Sequence, residues 1–192
     1  MSSHQRYDAF VITAPGLEVL AGDELKALGA ARVRVAEGGV SFTASPRSLY
    51  EANLHLRTAS RIVVRAAEFT AKAFHELERR AGKVPWETFV SPNLDVSVRV
   101  TCRKSRLYHS DAVAERVASA ITSRVSTAPL GSESGVRVST LTPDSDPDSE
   151  VGNQLIIVRI FHDRCTISID SSGALLHLRG YRQAVGKAPI RE

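Results

Sequence analysis

The sequence predicts an α+β fold built from two consecutive units. The chain has 192 residues, of which 43% are apolar, and this is enough for one large or two small buried cores. Over residues 8–67, segments with the spacing of strands and helices follow the order β-α-β-β-α-β. From about Thr70 a second series of helices and strands begins. The same composition argues against a disordered chain.

The first predicted strand covers residues 9–13, a short apolar run that is broken by Pro15 and Gly16. Apolar residues then recur at helical spacing, and Gly29 is placed to end that helix. We expect its buried face to consist of Leu17, Leu20, Ala21, Leu25 and Leu28.

A hairpin, a helix and a strand complete the first unit. Residues 32–35 and 40–43 alternate apolar and polar side chains around two glycines, as two half-buried strands do. Ser45 and Pro46 are a typical helix start, and residues 61–66 are a further strand. The helix between them is carried by Leu49, Ala52, Leu56 and Ala59. This element order is that of a ferredoxin-like unit, a four-stranded antiparallel sheet with two helices on one face.

The second unit begins with a predicted helix over residues 73–81, followed by a short turn or helix at 84–89 that carries the only tryptophan. Residues 94–100 alternate strictly and predict a strand. Its inward side chains are Leu94, Val96, Val98 and Val100. A helix follows, with Ser110 as its cap and Asp111 as its first residue. The core stripe of that helix is Val113, Val117, Ile121 and Val125.

The remainder of the second unit contains a polar segment and a hairpin. Residues 126–153 are rich in Ser, Pro, Gly and Asp, which predicts a loop with a short edge strand at 136–138. Residues 155–161 and 165–170 are predicted strands joined by a tight turn. Residues 175–182 are short and amphipathic, and residues 183–192 resemble a linker.

The charge of the chain is concentrated in one segment. The formal net charge is +4, and residues 99–124 alone contain six basic and two acidic side chains. Arginine outnumbers lysine by 20 to 5. Because guanidinium groups bind phosphate bidentately and stack on bases, this usage favours a nucleic-acid partner, although coding bias toward arginine explains it equally well.

The strongest candidate site is the basic segment, residues 99–109, where a strand delivers cations into a loop that opens a helix. Guanidinium, ammonium and helix N-terminal amide donors can meet a phosphate there together. An aromatic ring can stack on an unpaired base, and hydroxyl and imidazole groups can bind phosphate or ribose. The alternative is a solvated loop that binds no ligand, with its tyrosine packed in the core. The candidate RNA-binding residues are Arg99, Arg103, Lys104, Ser105, Arg106, Tyr108 and His109.

A second basic patch lies near the end of the sequence. It comprises Arg179, Arg182, Lys187 and Arg191, with Tyr181 between them. Taken alone, this patch has the composition of an ordinary solubilising linker.

Other classes of site find little support. Cys102, Cys165, His109 and His162 lack zinc-ligand spacing, and the acidic residues at 144–148 lack the pattern of a calcium loop. No nucleophile elbow, dinucleotide fingerprint or phosphate-binding glycine loop is present, so we expect neither catalytic residues nor a cofactor site in this chain. No apolar run approaches a membrane span and no signal peptide is evident, so we expect a cytoplasmic protein.

Six short motifs, in order, resemble one known family, the bacterial THUMP-containing methyltransferases that modify guanine N2 in 23S ribosomal RNA. They are TAPGLE (13–18), GGVSF (38–42), LRTASR (56–61), SRLYHS (105–110), LHLRGYR (176–182) and GKAPIRE (186–192). The resemblance implies a ferredoxin-like domain over residues 1–68, an RNA-binding THUMP domain over 69–174, and a linker over 175–192 toward a catalytic domain.

The resemblance also implies a division of labour. In the family, a downstream domain binds S-adenosylmethionine and transfers the methyl group, and its motifs are absent from this sequence. We therefore expect a fragment that binds and positions RNA without methylating it, with Arg179, Arg182 and Lys187 continuing the RNA track. The alternatives are a ferredoxin-like regulatory or ligand-binding module without RNA affinity and another type of THUMP enzyme. The oligomeric state is left open.

Overall fold

The computed structural model describes residues 5–91, 95–125, 138–141 and 154–178. They form two compact units: residues up to Arg65 together with those from Ala174 onward, and residues Ala66–Gly173. The elements, in chain order, are β1 (Tyr7–Thr13), α1 (Glu18–Ala27), β2 (Ala31–Ala36), β3 (Gly39–Ala44), α2 (Pro46–His55), β4 (Ala59–Thr70), α3 (Phe74–Ala81), α4 (Trp86–Phe89), β5 (Val96–Arg103), α5 (Ser110–Val125), β6 (Val138–Leu141), β7 (Gln154–Phe161), β8 (Arg164–Asp170) and a 3-10 helix (Leu176–Leu178).

The first unit has the predicted ferredoxin-like topology. Its strands are ordered β2-β3-β1-β4, and every described pair is antiparallel. Both helices pack on the same face of the sheet, because side chains of α1 and α2 share one core with alternate residues of the strands. The members of that core include Ala9, Val11, Leu25, Val40, Phe42, Ala52 and Ile62. Leu176 of the 3-10 helix, within the predicted linker, is also buried there.

Two helix ends of the first unit follow the local sequence signals, whereas the placement of Ala59 in the second helix is wrong, because α2 ends at His55 and Ala59 begins β4. The Ser45 hydroxyl accepts a hydrogen bond from the Ser48 backbone N–H, and the Ser45 backbone N–H donates one to the Ser48 hydroxyl, which forms a capping box before Pro46. Gly29 has φ of 75° and follows the last residues of α1, as predicted. The prediction that Leu20 belongs to the core is wrong. Leu20 is 54% exposed, because the buried stripe of α1 is limited to Ala21, Gly22 and Leu25.

Two turns of the first unit are held by one carboxylate. Glu18, the first residue of α1, accepts hydrogen bonds from the backbone N–H of Gly16 (2.8 Å) and of Gly38 (3.3 Å). Backbone hydrogen bonds lower the pKa of Glu18. Next to this turn, a Cβ on Gly39 would lie 1.9 Å from the Val11 carbonyl oxygen, so only glycine fits. These contacts give a structural reason for the TAPGLE and GGVSF motifs.

The second unit contains the strand order β8-β7-β5-β6. β5 is parallel to β6 and β7, and β7 is antiparallel to β8. Helices α3, α4 and α5 contribute to one core with the inward side chains of these strands. The predicted stripe of Val113, Val117, Ile121 and Val125 is buried, as are Val96, Val98 and Val100. Leu94, predicted to belong to the same set, lies outside the described residues.

Two strands of the second unit have boundaries that differ from the sequence prediction. β5 continues to Arg103, three residues beyond its predicted end, because it pairs with β7 along its whole length. The parallel strand β6 occupies residues 138–141, whereas Val136, Arg137 and the acidic residues at 144–150 lie outside the described residues. The predicted β7–β8 hairpin is confirmed, with His162 and Asp163 in its turn at φ of 49° and 61°. In the described part of the chain, no helix is long and apolar enough to span a bilayer.

Candidate nucleic-acid interface

The candidate interface is built around the loop between β5 and α5. We call residues 104–109 the basic loop; it begins where β5 ends, with Lys104 at φ of 49°. The side chains of Arg103, Lys104 and Arg106 are exposed. None of the three forms a salt bridge with any residue the structure describes. Three unneutralised cations within four positions favour binding of an anion.

The basic loop is anchored to the β7–β8 turn by Asp163. Its carboxylate accepts hydrogen bonds from the Ser105 hydroxyl and from the Arg106 backbone N–H, both at 2.8 Å. The Ser105 hydroxyl also accepts a bond from the Leu107 N–H at 3.2 Å, so its single donor hydrogen and one acceptor site are used within the chain. Ser105 therefore positions the loop. Leu107, 2% exposed, anchors the loop in the core of the second unit.

Asp163 was missed by the sequence analysis because its partners lie 57 and 58 positions earlier in the chain. The Arg106 N–H and the Ser105 hydroxyl lower the pKa of Asp163 below its ordinary value of 3.8. The carboxylate thus holds the loop through hydrogen bonds and forms no salt bridge with the described side chains. As a result, the guanidinium group of Arg106 remains exposed.

The Asp163 anchor predicts a pH dependence of the loop. A carboxyl whose pKa is lowered on folding stabilises the fold above its unfolded pKa, and this contribution disappears as the pH falls through the lower, folded pKa. We expect the NMR shift of the Arg106 amide to titrate below pH 3.8. In Asp163→Asn that titration should vanish, because the group no longer ionises. A wild-type Arg106 amide that titrates at or above the ordinary carboxyl value would contradict the anchor.

Tyr108 is exposed and available to a ligand. Its side chain is 70% exposed, while the preceding Leu107 occupies the core, so the alternative of a buried tyrosine is wrong. The ring centroid of Tyr108 lies 4.0 Å from that of His109, with a tilt of 41° between the planes. His109 is exposed as well. Exposed aromatic rings beside cations are the combination that proteins use to stack and hold single-stranded bases.

Helix α5 starts next to this surface. It begins at Ser110, and the His109 carbonyl accepts a bond from the Val113 N–H at 3.1 Å. The N-terminal end of the helix carries a partial positive charge, but Asp111 in the first turn partly offsets it. The exposed cations of the loop therefore bring more positive charge to this surface than the helix terminus does.

Not all the arginines of the predicted cluster belong to this surface. Arg116 contacts Glu78 and Arg124 contacts Glu87, each at 2.9 Å between nitrogen and carboxylate oxygen. These pairs use acidic residues from outside the 99–124 window, so the local surplus of charge is smaller than the sequence indicates. Arg179, Arg182, Lys187 and Arg191 lie outside the described residues.

The sheet of the second unit extends the basic surface from the predicted Arg99 and Arg103 to Arg159 and Phe161, which were not predicted. Arg99 and Arg103 lie on the face of β5 opposite to the core side chains Val98 and Val100, and Arg99 is half-buried. On β7, Arg159 pairs in register with Thr101, and Phe161 pairs with Arg103. Arg159 is exposed and Phe161 is 43% exposed. Only the parallel pairing of β5 with β7 reveals that these residues share a face.

The described residues give no geometric support for metal binding or for thiol chemistry. No group of three or more His, Cys, Asp or Glu residues that could hold a metal ion occurs in the described ranges. Burial, with a smaller effect of Cys102, raises the pKa of Cys165 to about 12, so its thiol is not ionised at neutral pH. Asp144, Asp146 and Asp148 lie outside the described residues.

Two known protein families match the chain, one over each unit. The family described as the RlmL ferredoxin-like domain matches residues 8–63, and the THUMP domain family matches residues 71–170. The second match covers more than half of the chain and contains the basic loop, Asp163 and Arg159.

Individual proteins resemble the chain over nearly its full length. A ribosomal RNA large subunit methyltransferase K/L from Syntrophotalea carbinolica is 35% identical over 186 residues, covering 95% of this chain and 24% of that protein. A crystal structure titled as a predicted N6-adenine-specific DNA methylase from Listeria monocytogenes superposes with a TM-score of 0.82 at 32% identity, covering 97% of this chain and 46% of that one. A possible methylase from Clostridium difficile 630 gives a TM-score of 0.79 at 28% identity, with the same coverage. The chain thus spans less than half the length of these relatives.

Proposed function

The chain belongs to the THUMP family and carries an RlmL ferredoxin-like domain before its THUMP domain, and from this premise we propose that it binds RNA. The observation that supports the proposal most directly is the anchored basic loop. Asp163 holds the backbone of the loop while Arg103, Lys104 and Arg106 remain without a salt bridge among the described residues. A preorganised loop loses little conformational entropy when its cations bind phosphates.

We further propose that this RNA is a substrate of methylation, specifically large-subunit ribosomal RNA modified at guanine N2. The name of the Syntrophotalea relative supports the class of RNA, and the motif resemblance supports the target atom. In this proposal the chain determines which nucleotide reaches the methyl donor, because phosphate and shape contacts fix the register of an RNA without reading its bases.

We propose that the described residues contribute no site for the methyl donor S-adenosylmethionine. In the turn between β1 and α1 a glycine leads from a strand into an α-helix, but Glu18 already occupies the amides of Gly16 and Gly38. Those two backbone donors are therefore unavailable to the carboxylate of that cofactor. The proposed role of these residues is therefore limited to binding and positioning, and no step of methyl transfer is assigned to them.

The proposal predicts salt-dependent RNA binding. Log affinity for a short structured RNA should fall linearly with log salt concentration, by roughly 0.7–0.9 for each phosphate contacted. Fluorescence anisotropy with a labelled RNA hairpin, between about 50 and 200 mM salt, measures this slope. Absence of binding at the lowest salt would overturn the proposal and favour a ligand-binding module without RNA affinity.

A further inference from the structure

The first unit contains a basic cleft that the THUMP domain match does not cover. It lies on the side of the sheet opposite to helices α1 and α2, because Ser41 and Thr43 alternate along β3 with the core residues Val40 and Phe42. We call it the β2 cleft. It has a volume of about 390 Å³, and the residues that determine its chemistry are Arg6, Tyr7, Arg32, Arg34, Ser41 and Thr43.

The charge of the β2 cleft is strongly positive. Arg6, Arg32 and Arg34 are exposed, and none forms an ion pair with the part of the chain that the structure describes. The single carboxylate in the lining, Asp8, lies 3.8 Å from Arg65, a residue outside the cleft. Three unneutralised guanidinium groups around one concave surface repel one another, and a bound anion relieves that repulsion.

The backbone of β2 is distorted at the centre of this site. Ala31 pairs with Thr43 and Arg34 pairs with Ser41, so two residues of β2, Arg32 and Val33, lie opposite the single residue Phe42. This is a β-bulge, and such bulges redirect side chains and are frequent near functional sites. It leaves Val33 packed against the core while Arg32 lines the cleft.

Arg32 occupies a conformation that suits glycine. Its φ is 55°, in the left-handed region, where a residue with a Cβ atom is strained. At the first position of a bulge of this type, glycine gives the same backbone without that strain. Since an arginine lowers stability there, its side chain points to a role in binding.

We propose that the β2 cleft binds a phosphodiester group of an RNA strand. Guanidinium groups from Arg6, Arg32 and Arg34 bind the phosphate oxygens, and the hydroxyl of Thr43 supplies a further hydrogen-bond donor. The volume of the cleft is that of a pocket for a small molecule or a single nucleotide. This inference rests on the proposed RNA-binding function and adds a second contact surface, in the first unit of the chain.

The test uses a variant in which folding and binding are expected to change in opposite directions. Arg32→Gly removes the guanidinium and relieves the strained φ, so the thermal unfolding midpoint should stay equal or rise while RNA affinity falls roughly threefold to tenfold. The double variant Arg32→Gly/Arg34→Gln should lower the salt slope by roughly 0.7–0.9 for each phosphate contact that is lost. If Arg32 had only a structural role, its replacement would lower the thermal unfolding midpoint.

The matched control is Arg47→Gln/Arg57→Gln. It removes the same charge from exposed arginines of the first unit that lie outside the cleft and contact Glu51 and Glu24. Its affinity and salt slope should equal those of the wild type. If the cleft variant also binds like the wild type while loss of Arg103 and Arg106 weakens binding, this inference is overturned and the proposed function stands. If the wild-type chain binds no RNA, both fail.

Titration with inorganic phosphate distinguishes the two anions that the cleft could bind, a phosphodiester within an RNA strand and a free phosphate ion. Titration followed by the NMR signals of the arginine side chains should show only weak, millimolar binding of free phosphate if the cleft accommodates a phosphodiester in a longer strand. Saturation at micromolar phosphate, together with unchanged RNA binding by the cleft variant, would identify a small-anion site and overturn the proposal.

Discussion

Replacement of both Arg103 and Arg106 by alanine is expected to lower the affinity for RNA by roughly tenfold to a hundredfold, about 1.4–2.8 kcal/mol. Both side chains are exposed and form no salt bridge with the described residues, and Asp163 fixes the backbone of the basic loop at Arg106. Each phosphate contact that is lost should lower the salt slope by roughly 0.7–0.9. Because the contacts are with the sugar-phosphate chain, the loss should be similar for RNAs of different sequence. Anisotropy at several salt concentrations measures both quantities.

The control for this variant removes the same charge at another place in the second unit. Arg116→Ala/Arg124→Ala eliminates two arginines that are already paired with Glu78 and Glu87, so its affinity should change by less than about twofold. Equal losses in the two double variants would mean that the net charge, and not the basic loop, determines RNA binding. Unchanged affinity after loss of Arg103 and Arg106 would remove the loop from the interface.

Replacement of Trp86 by alanine is expected to destabilise the second unit by about 3–5 kcal/mol, a large part of the stability of a small domain. The side chain is 0% exposed in the core, and its indole N–H donates to the Ala81 carbonyl at 2.9 Å. The variant loses buried apolar area and one of the two hydrogen bonds to that carbonyl, which also accepts from the Val84 N–H. Unfolding should be followed by circular dichroism, because the variant contains no tryptophan for fluorescence.

Two further variants identify the origin of this loss. Trp86→Phe keeps most of the apolar volume but cannot donate the hydrogen bond, so it should destabilise the unit less than alanine does. Tyr50→Ala, which removes an aromatic side chain that is 63% exposed, should change the free energy of unfolding by less than about 0.5 kcal/mol. A Trp86→Ala variant as stable as Tyr50→Ala would show that the tryptophan does not support the core.

Much of the fold was predictable because it follows from local periodicity and turn chemistry. The stripe from Val113 to Val125 identified α5, alternation identified β5, and Ser45 with Pro46 marked the start of α2. The order of the elements was then sufficient for the ferredoxin-like topology of the first unit. The error at Leu20 has the same origin, since periodicity shows that a helix is amphipathic but not how wide its buried stripe will be.

The candidate site was predictable in part. The sequence alone identified the basic loop and the aromatic residue within it, because clustered charge and a strand-to-helix junction are local properties. It could not show that Glu78 and Glu87 neutralise Arg116 and Arg124, since each pair joins residues more than 35 positions apart. It also missed Asp163 and Arg159, which reach the surface through the pairing of β7 with β5 and the β7–β8 turn.

The amino-acid sequence by itself determined which segments form helices and strands, the order in which they occur, the presence of a basic loop and the family to which the chain belongs. Only the tertiary structure decided which cations keep their charge unneutralised, which carboxylate anchors the loop, and that Arg32 lies in a strained bulge beside Arg6 and Arg34. The physical reason is that secondary structure depends on neighbours within a few positions, whereas strand register and ion pairing depend on residues that only folding brings together.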